Sequence, residues 1–361
     1  MATSSATSSL DTAMQRRHFL ATAALAAAPN VLTAAKTADP PLIVGHGSHR
    51  YRAEKNWSKA DHAKLPLENC HEMIQASDGR LFLVTDHPKN NVLIYKTDGT
   101  LLDHWTLDSS TAHGLTLSRE GGVDFLYITM TEGRVVKTTL DGEILLELDS
   151  PHRTNAYAVE TTYHPTETAI GPNGDIYVID GYGSQFILRY TAAGRYIGKF
   201  GGRSSLPEKP GKFLQAHGIA LDTRGPEPLL VCTARIRNEL AWFTLDGEHK
   251  RTEYYPGAYL SRPVIRDENL YSAVCFGFRE NDYRMWTGRG FIMILDKDDK
   301  VISCPGGEAP HYKNGTLMAL MKEGDLVTNG HDVCVDSDEN LYLCQWNSGK
   351  VPPYKLHRLP D

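Results

Sequence analysis

A chain of 361 residues with 38 basic and 44 acidic side chains, 41% hydrophobic content and 31 glycines has the make-up of a globular protein of one large or two medium domains, and intrinsic disorder is excluded. The net charge of −6 offers no dense Lys/Arg surface, which argues against nucleic acid or an anionic membrane as partner; the expected partner is a small-molecule or peptide-like substrate. Six cysteines without a CxxC pair supply neither a disulfide framework nor a thiolate zinc site, so any metal must rest on other ligands.

The first feature along the chain is Gln15-Arg16-Arg17-His18-Phe19-Leu20, followed by a small apolar run from Ala21 to Pro29 and then by Thr33-Ala34-Ala35 and Thr37-Ala38. Paired arginines, a short apolar stretch and small residues for cleavage predict a twin-arginine export signal over residues 1–38. The run is shorter than the roughly 20 apolar residues of a membrane span. No other stretch qualifies, so the mature chain, 39–361, is expected to be soluble, periplasmic or secreted, with no stable membrane insertion. A surface amphipathic helix is the alternative for the segment. Export in the folded state suits a protein that must take up metal before it leaves the cytoplasm. An oxidising destination permits a disulfide: Cys334 and Cys344 fall where a hairpin brings them near each other, with buried free thiols as the other state.

Past residue 40 the sequence repeats itself, and the repeat decides the fold. Five short apolar runs lead into turns: Val92-Leu93-Ile94-Tyr95 into Thr97-Asp98-Gly99, Val135-Val136 into Leu140-Asp141-Gly142, Ile187-Leu188-Arg189-Tyr190 into Ala192-Ala193-Gly194, Ala241-Trp242-Phe243 into Leu245-Asp246-Gly247, and Ile292-Met293-Ile294-Leu295 into Lys297-Asp298-Asp299. The turns end at 99, 142, 194, 247 and 299, in steps of 43, 52, 53 and 52. Asp-Gly between alternating apolar runs is a strong hairpin signal. Upstream of the turns runs a second pattern, a leading residue followed by a turn and then a strand. It reads His71…Gly79…Phe82, Thr166…Gly174…Tyr177 and His331…Glu339…Tyr342, with small insertions in His113…Gly121…Tyr127 and His217…Gly225…Leu230. Helical periodicity is nowhere sustained. Four-strand units repeated radially predict an all-β, six-bladed β-propeller, with blade cores at 68–105, 111–148, 163–200, 214–250, 258–303 and 328–358. The last has no clear fourth strand, so Leu42-Ile43-Val44 is expected to complete it and close the ring. An open β-sandwich is the alternative.

In a propeller the innermost strand of each blade lines the central channel, so residues at one repeat phase converge on the axis. His71, His113, His217 and His331 hold the leading position in blades one, two, four and six, and Thr166 holds it in blade three. Blade five is too divergent to place. A single inward histidine reads as a hydrogen-bonded structural residue. His113, His217 and His331, however, come from alternate blades and form an approximate threefold tripod of imidazoles. That is the ligand set of a catalytic Zn²⁺ with an open fourth position, and Fe²⁺, Co²⁺ or another divalent transition metal accepts it as well.

Four stretches carry a family resemblance: Ala112-His113-Gly114-Leu115; Tyr177-Val178-Ile179-Asp180-Gly181-Tyr182 running on to Ile187-Leu188-Arg189-Tyr190; Gly194 through Phe200-Gly201-Gly202 to Ala216-His217-Gly218-Ile219-Ala220; and Gly330-His331-Asp332-Val333. On these the chain resembles the NHL-repeat propellers and, within them, the catalytic core of peptidyl-α-hydroxyglycine α-amidating lyase, over about residues 68 to 345. The resemblance implies a zinc ion on His113, His217 and His331, an active-site tyrosine at Tyr182 and an active-site arginine at Arg235, with Arg237 as the alternative position. It also implies a structural calcium on Asp332 and the backbone oxygens near Leu115 and Met73. The implied reaction breaks a carbinolamide C–N bond, giving an amide and a glyoxylate-type aldehyde, with Tyr182 as the proton-moving base.

The chain departs from that family at several positions. Asp86 stands where a second arginine is expected, His71 replaces a small residue, Asn329 replaces a hydrophobic one, and Gly183 stands in place of a cysteine. Arg50, Arg52 and Arg153 are candidates to replace the missing cation. His71 is expected to act as a general base or an axial hydrogen-bond partner, with fourth metal ligand as the other option. A zinc hydrolase and a non-enzymatic binding propeller are the competing functions. The second draws on the aromatic stretch Tyr254-Tyr255-Pro256, Tyr259, Tyr271, Phe276, Phe278, Tyr283 and Trp286, which otherwise reads as blade-five core.

Overall fold

The computed structural model describes residues 40–206 and 209–360, and the expected export signal lies outside the described residues. Strands pair antiparallel in six sheets arranged as the blades of a propeller. The innermost strands are Cys70–Gln75, Ala112–Glu120, Glu167–Ile170, Ala216–Asp222, Tyr259–Arg266 and Gly330–Val335, within the expected blade boundaries. The repeat turns are possible because their last residue enters the left-handed region, with φ of +85° at Gly99, +88° at Gly142, +78° at Gly194 and +89° at Gly247. Blade five uses Asp299 there at +58°, a residue type that tolerates this conformation.

The core is a ring of layers between blades. Trp242 and Leu240 of blade four pack on Leu270, Phe291 and Met293 of blade five. Ile292 and Ile294 of blade five in turn meet Val333 and Leu343 of blade six. Each such buried side chain contributes roughly 1.5–3 kcal/mol, and closure leaves no blade without a neighbour.

Ring closure differs from the expectation by one strand. His49–Glu54 pairs with Tyr354–Arg358 as the fourth strand of blade six, and Ile43–His46 adds outside it as a fifth. Tyr51 decides this order, because its fully buried ring joins the layer with Tyr271, Ile294 and Leu356, whereas Ile43 is exposed. The aromatic stretch of blade five is mostly core as well: Tyr255, Tyr259, Tyr271 and Phe278 are buried, while Tyr254 and Tyr283 are exposed. All six cysteines are free and buried; Cys334 faces Tyr342 across its hairpin and Cys344 faces Asp332. Among the described residues, no helix is long and apolar enough to cross a membrane.

One local irregularity recurs. In five innermost strands the pairing register shifts at the leading residue: between Cys70 and Glu72, Ala112 and Leu115, Ala216 and Ile219, Leu260 and Pro263, and Gly330 and Asp332. A β-bulge re-aims the side chain it contains, and here it places His71, His113, His217 and His331 together.

Candidate metal centre

The four imidazoles are buried. Ring centroids are 4.6 Å apart for His71 and His331, 4.7 Å for His71 and His113, and 4.8 Å for His113 and His331. His217 lies 4.9 Å from His113 and 4.8 Å from His331 on the other side of that shared edge. Burial, reinforced by neighbouring imidazoles and Arg235, holds His113, His217 and His331 well below the ordinary histidine range, so they are neutral ligands rather than cations.

Hydrogen bonds fix which nitrogen of each ring is free. His113 Nδ1 donates to Thr166 O at 2.9 Å, and His331 Nδ1 donates to His71 O at 2.9 Å. His71 Nε2 donates to Asp86 Oδ2 at 3.1 Å. His71 Nδ1 and His331 Nε2 then lie 3.3 Å apart, within reach of a shared proton or a common cation. Ligands about 2.0–2.1 Å from a tetrahedral ion sit roughly 3.3–3.4 Å apart, and one ligand atom from each of His71, His113 and His331 lies within 4.8 Å of the others. The donor set therefore fits a divalent transition metal.

The rings of the tripod expected from alternate blades, His113, His217 and His331, do come together, at 4.8–4.9 Å between centroids, and a second trio converges beside it. His71 takes part in the second, and His217 stands beside it with both ring nitrogens buried and unpartnered. Asp86 explains the difference. Burial alone would raise its carboxyl, but bonds from His71 and from the Asn69 side chain and backbone hold it down at about 2, so it remains an anion. A carboxylate behind an imidazole orients the ring and raises its basicity. Asp86→Ala is accordingly expected to weaken metal affinity by about 10- to 100-fold, measured by competition with a chelating dye; unchanged affinity would remove His71 from the ligand set.

Tyr182 reaches the centre from the Asp180-Gly181-Tyr182 turn. Its hydroxyl donates to His113 Nε2 at 3.2 Å, while the residue as a whole is 39% exposed. Without metal, burial of the hydroxyl pushes the phenol up and Arg235 draws it back, with a net rise. Arg235 is buried, bonded to Leu260 O at 3.0 Å and Ser261 Oγ at 2.9 Å. A cavity of about 330 Å³ opens over the cluster, with Asp86, Thr111, Gln215 and Arg235 among its polar lining groups and Phe276 and Trp346 as apolar walls. Asn329 holds Trp346 in place, donating to its carbonyl and to that of Asn347 while accepting from Gly288 N. This is why a polar residue serves at 329.

Asp180 anchors the turn. It accepts His164 N at 2.7 Å, Ser184 N at 2.7 Å and the Tyr157 hydroxyl at 2.9 Å. A Cβ on Gly183 would come within 2.1 Å of Asp180 Oδ1, so this turn admits no cysteine there. Burial outweighs the three donors and raises Asp180 to about 6. The folded state then keeps a proton that the unfolded chain releases near ~3.9, and stability falls as pH rises through that window. Relative to Asp180→Asn, which cannot titrate, the wild type is expected to lose on the order of 2–3 kcal/mol between pH 4 and pH 7. Urea unfolding at the two pH values reads this, and a gap that stays constant with pH contradicts the assignment.

Other expected positions lie elsewhere. Arg237 bonds Glu239, Leu206 O and Lys212 O, outside the cavity. Arg50, Arg52 and Arg153 are exposed, the first two on the outer strand of blade six, and none replaces the missing cation. Asp332, Leu115 O and Met73 O do converge, but on the guanidinium of Arg262, which donates to all three. The calcium expectation is thereby corrected: a side-chain cation fills that cage. Sequence reasoning missed both Arg262 and the Asp86–His71 pair, because their partners lie in other strands.

Fold and site together define a six-bladed β-propeller with a buried imidazole centre on its axis. No family model and no curated protein matches the chain. Among solved structures it is similar to a streptogramin B lyase (TM-score 0.52, 14% identity, 85% of this chain and 97% of that one). It is also similar to a gluconolactonase from Xanthomonas campestris (TM-score 0.54, 12% identity, 88% and 95%) and to hydrazine synthase from Kuenenia stuttgartiensis (TM-score 0.54, 11% identity, 84% and 99%). At these identities the likeness is one of fold.

Proposed function

We propose that this protein is an exported, metal-dependent lyase that cleaves the C–N bond of a small α-hydroxy amide. The observation that carries this reading is the approach of His71 Nδ1 to His331 Nε2 at 3.3 Å, each ring anchored through its other nitrogen, by Asp86 and by His71 O. His113 and Tyr182 complete the group at the floor of the cavity. A divalent metal bound by His71, His113 and His331 supplies Lewis acidity toward the carbinol oxygen.

The chain's own residues supply the rest. Tyr182 stands where it can pass a proton from the carbinol hydroxyl to the departing amide nitrogen, so the net change moves one proton from oxygen to nitrogen. Arg235 faces the cavity as the cation for a substrate carboxylate. Phe276 and Trp346 give the remaining walls an apolar character, which suits a small acyl group.

A hydrolase on the same centre is the second reading. Asp86 standing in place of a second arginine favours it, because the cavity is left with one cation fewer to hold an anionic aldehyde. Metal analysis of protein purified without added metal, followed by incubation with an N-acyl-α-hydroxyglycine, tests both. The expected products are the primary amide and glyoxylate; a carboxylic acid and ammonia, with glyoxylate from collapse of the released carbinolamine, would favour the hydrolase. Absence of bound transition metal would falsify the metal-dependent reading altogether.

A further inference from the structure

One residue beyond the leading position, the channel holds a second layer made of Glu72, Gly114, Glu167, Gly218, Arg262 and Asp332. Arg262 crosses it. Its Nε and Nη2 form a fork on Asp332, at 3.0 Å to Oδ1 and 2.8 Å to Oδ2. Nη1 donates to Leu115 O at 2.7 Å and Nη2 donates to Met73 O at 3.0 Å, with Glu72 Oε2 3.5 Å from Nη1. Burial would favour the neutral form, but Asp332, Glu72 and Glu167 keep the guanidinium firmly charged.

The acceptors lie on the strands Cys70–Gln75, Ala112–Glu120 and Gly330–Val335. These are the strands that carry His71, His113 and His331, and each acceptor lies one or two residues from its histidine. The acceptors are all oxygen: a carboxylate fork, two backbone carbonyls and a second carboxylate nearby. That is the donor chemistry of a hard divalent cation. A planar five-donor fork can satisfy the same oxygens from fixed directions.

We infer that Arg262 is a positioning residue for the metal centre: a tethered cation that takes the place a calcium ion would hold and ties together the three strands whose imidazoles converge. This rests on the reading of those imidazoles as metal ligands. The lining of a cavity of about 360 Å³ on the other side of this layer includes Arg262. The side chain thus separates that cavity from the imidazoles as well as spacing them.

The experiment compares the wild type with Arg262→Ala and Arg262→Lys. After dialysis against a calcium chelator, the wild type is expected to keep its melting temperature and its Co²⁺ affinity and to bind no calcium. Arg262→Ala is expected to bind Co²⁺ about tenfold or more weakly, with an altered visible spectrum well below its melting temperature. Millimolar Ca²⁺ restores affinity, spectrum and melting temperature together, and Na⁺ at matched ionic strength does not. Arg262→Lys, a point charge without the fork, recovers only part. Stoichiometric calcium in the wild type overturns the inference, as does an Arg262→Ala protein with unchanged Co²⁺ affinity. So does failure of Ca²⁺ to support that variant, including failure to fold in its presence. If the wild type binds no Co²⁺, the proposed function fails separately, and the melting-temperature arm with Ca²⁺ still decides what Arg262 does.

Discussion

Alanine at His331 is expected to leave the protein without bound transition metal and without turnover, while His71 and His217 respond to the same substitution in opposite ways. His331 lies on the edge shared by the two possible imidazole triangles, and its Nε2 faces His71 Nδ1 at 3.3 Å. Its loss removes a ligand from either triangle. Structural metal binding of roughly 10–16 kcal/mol spread over a few ligands implies a loss on the order of 10²–10³-fold or more for each ligand removed. His71→Ala is expected to match His331→Ala, because Asp86 fixes the His71 ring with Nδ1 toward the cluster. His217→Ala is expected to retain metal within a few-fold, since no acceptor fixes its ring and its nitrogens stand outside the converging set. Equilibrium dialysis followed by elemental analysis separates the three. The reverse order for His71 and His217 would make the alternate-blade tripod the ligand set and His71 a supporting group.

The blades are legible in a single sequence for a backbone reason: each repeat turn needs a residue at positive φ, and Gly99, Gly142, Gly194 and Gly247 mark those turns at nearly even spacing. The leading histidines are legible because repeat phase becomes axial position once the ring closes. What phase cannot tell is where a ring points. The bulges that re-aim His71 and its counterparts are invisible in composition, and the partner that holds His71, Asp86, lies across a strand pair. Arg262 is harder still. It sits in blade five, one of the two blades without a leading histidine, and its partner Asp332 is 70 positions away. The outer strand of blade six was obscured because His49-Arg50-Tyr51-Arg52 reads as polar, although Tyr51 alone anchors it.

Tyr182→Phe is expected to lower turnover by about 10²–10⁴-fold while leaving metal content and melting temperature near the wild-type values. The geometry separates these effects. The substitution removes only the hydroxyl, which lies 3.2 Å from His113 Nε2. His113 remains fixed by Thr166 O and Arg235 by Leu260 O and Ser261. The phenyl ring that remains keeps the partly exposed wall of the cavity. A proton-transfer group deleted without disturbing its neighbours lowers the rate of the chemical step, so kcat falls much more than KM changes. Steady-state kinetics on an N-acyl-α-hydroxyglycine, run beside elemental analysis of the same preparation, reads both quantities. If Tyr182→Phe turns over as fast as the wild type, proton transfer passes through another group, and the Asp86–His71 pair is the one placed to carry it. If metal is lost along with activity, Tyr182 instead secures the position of His113, and its part in the reaction is structural.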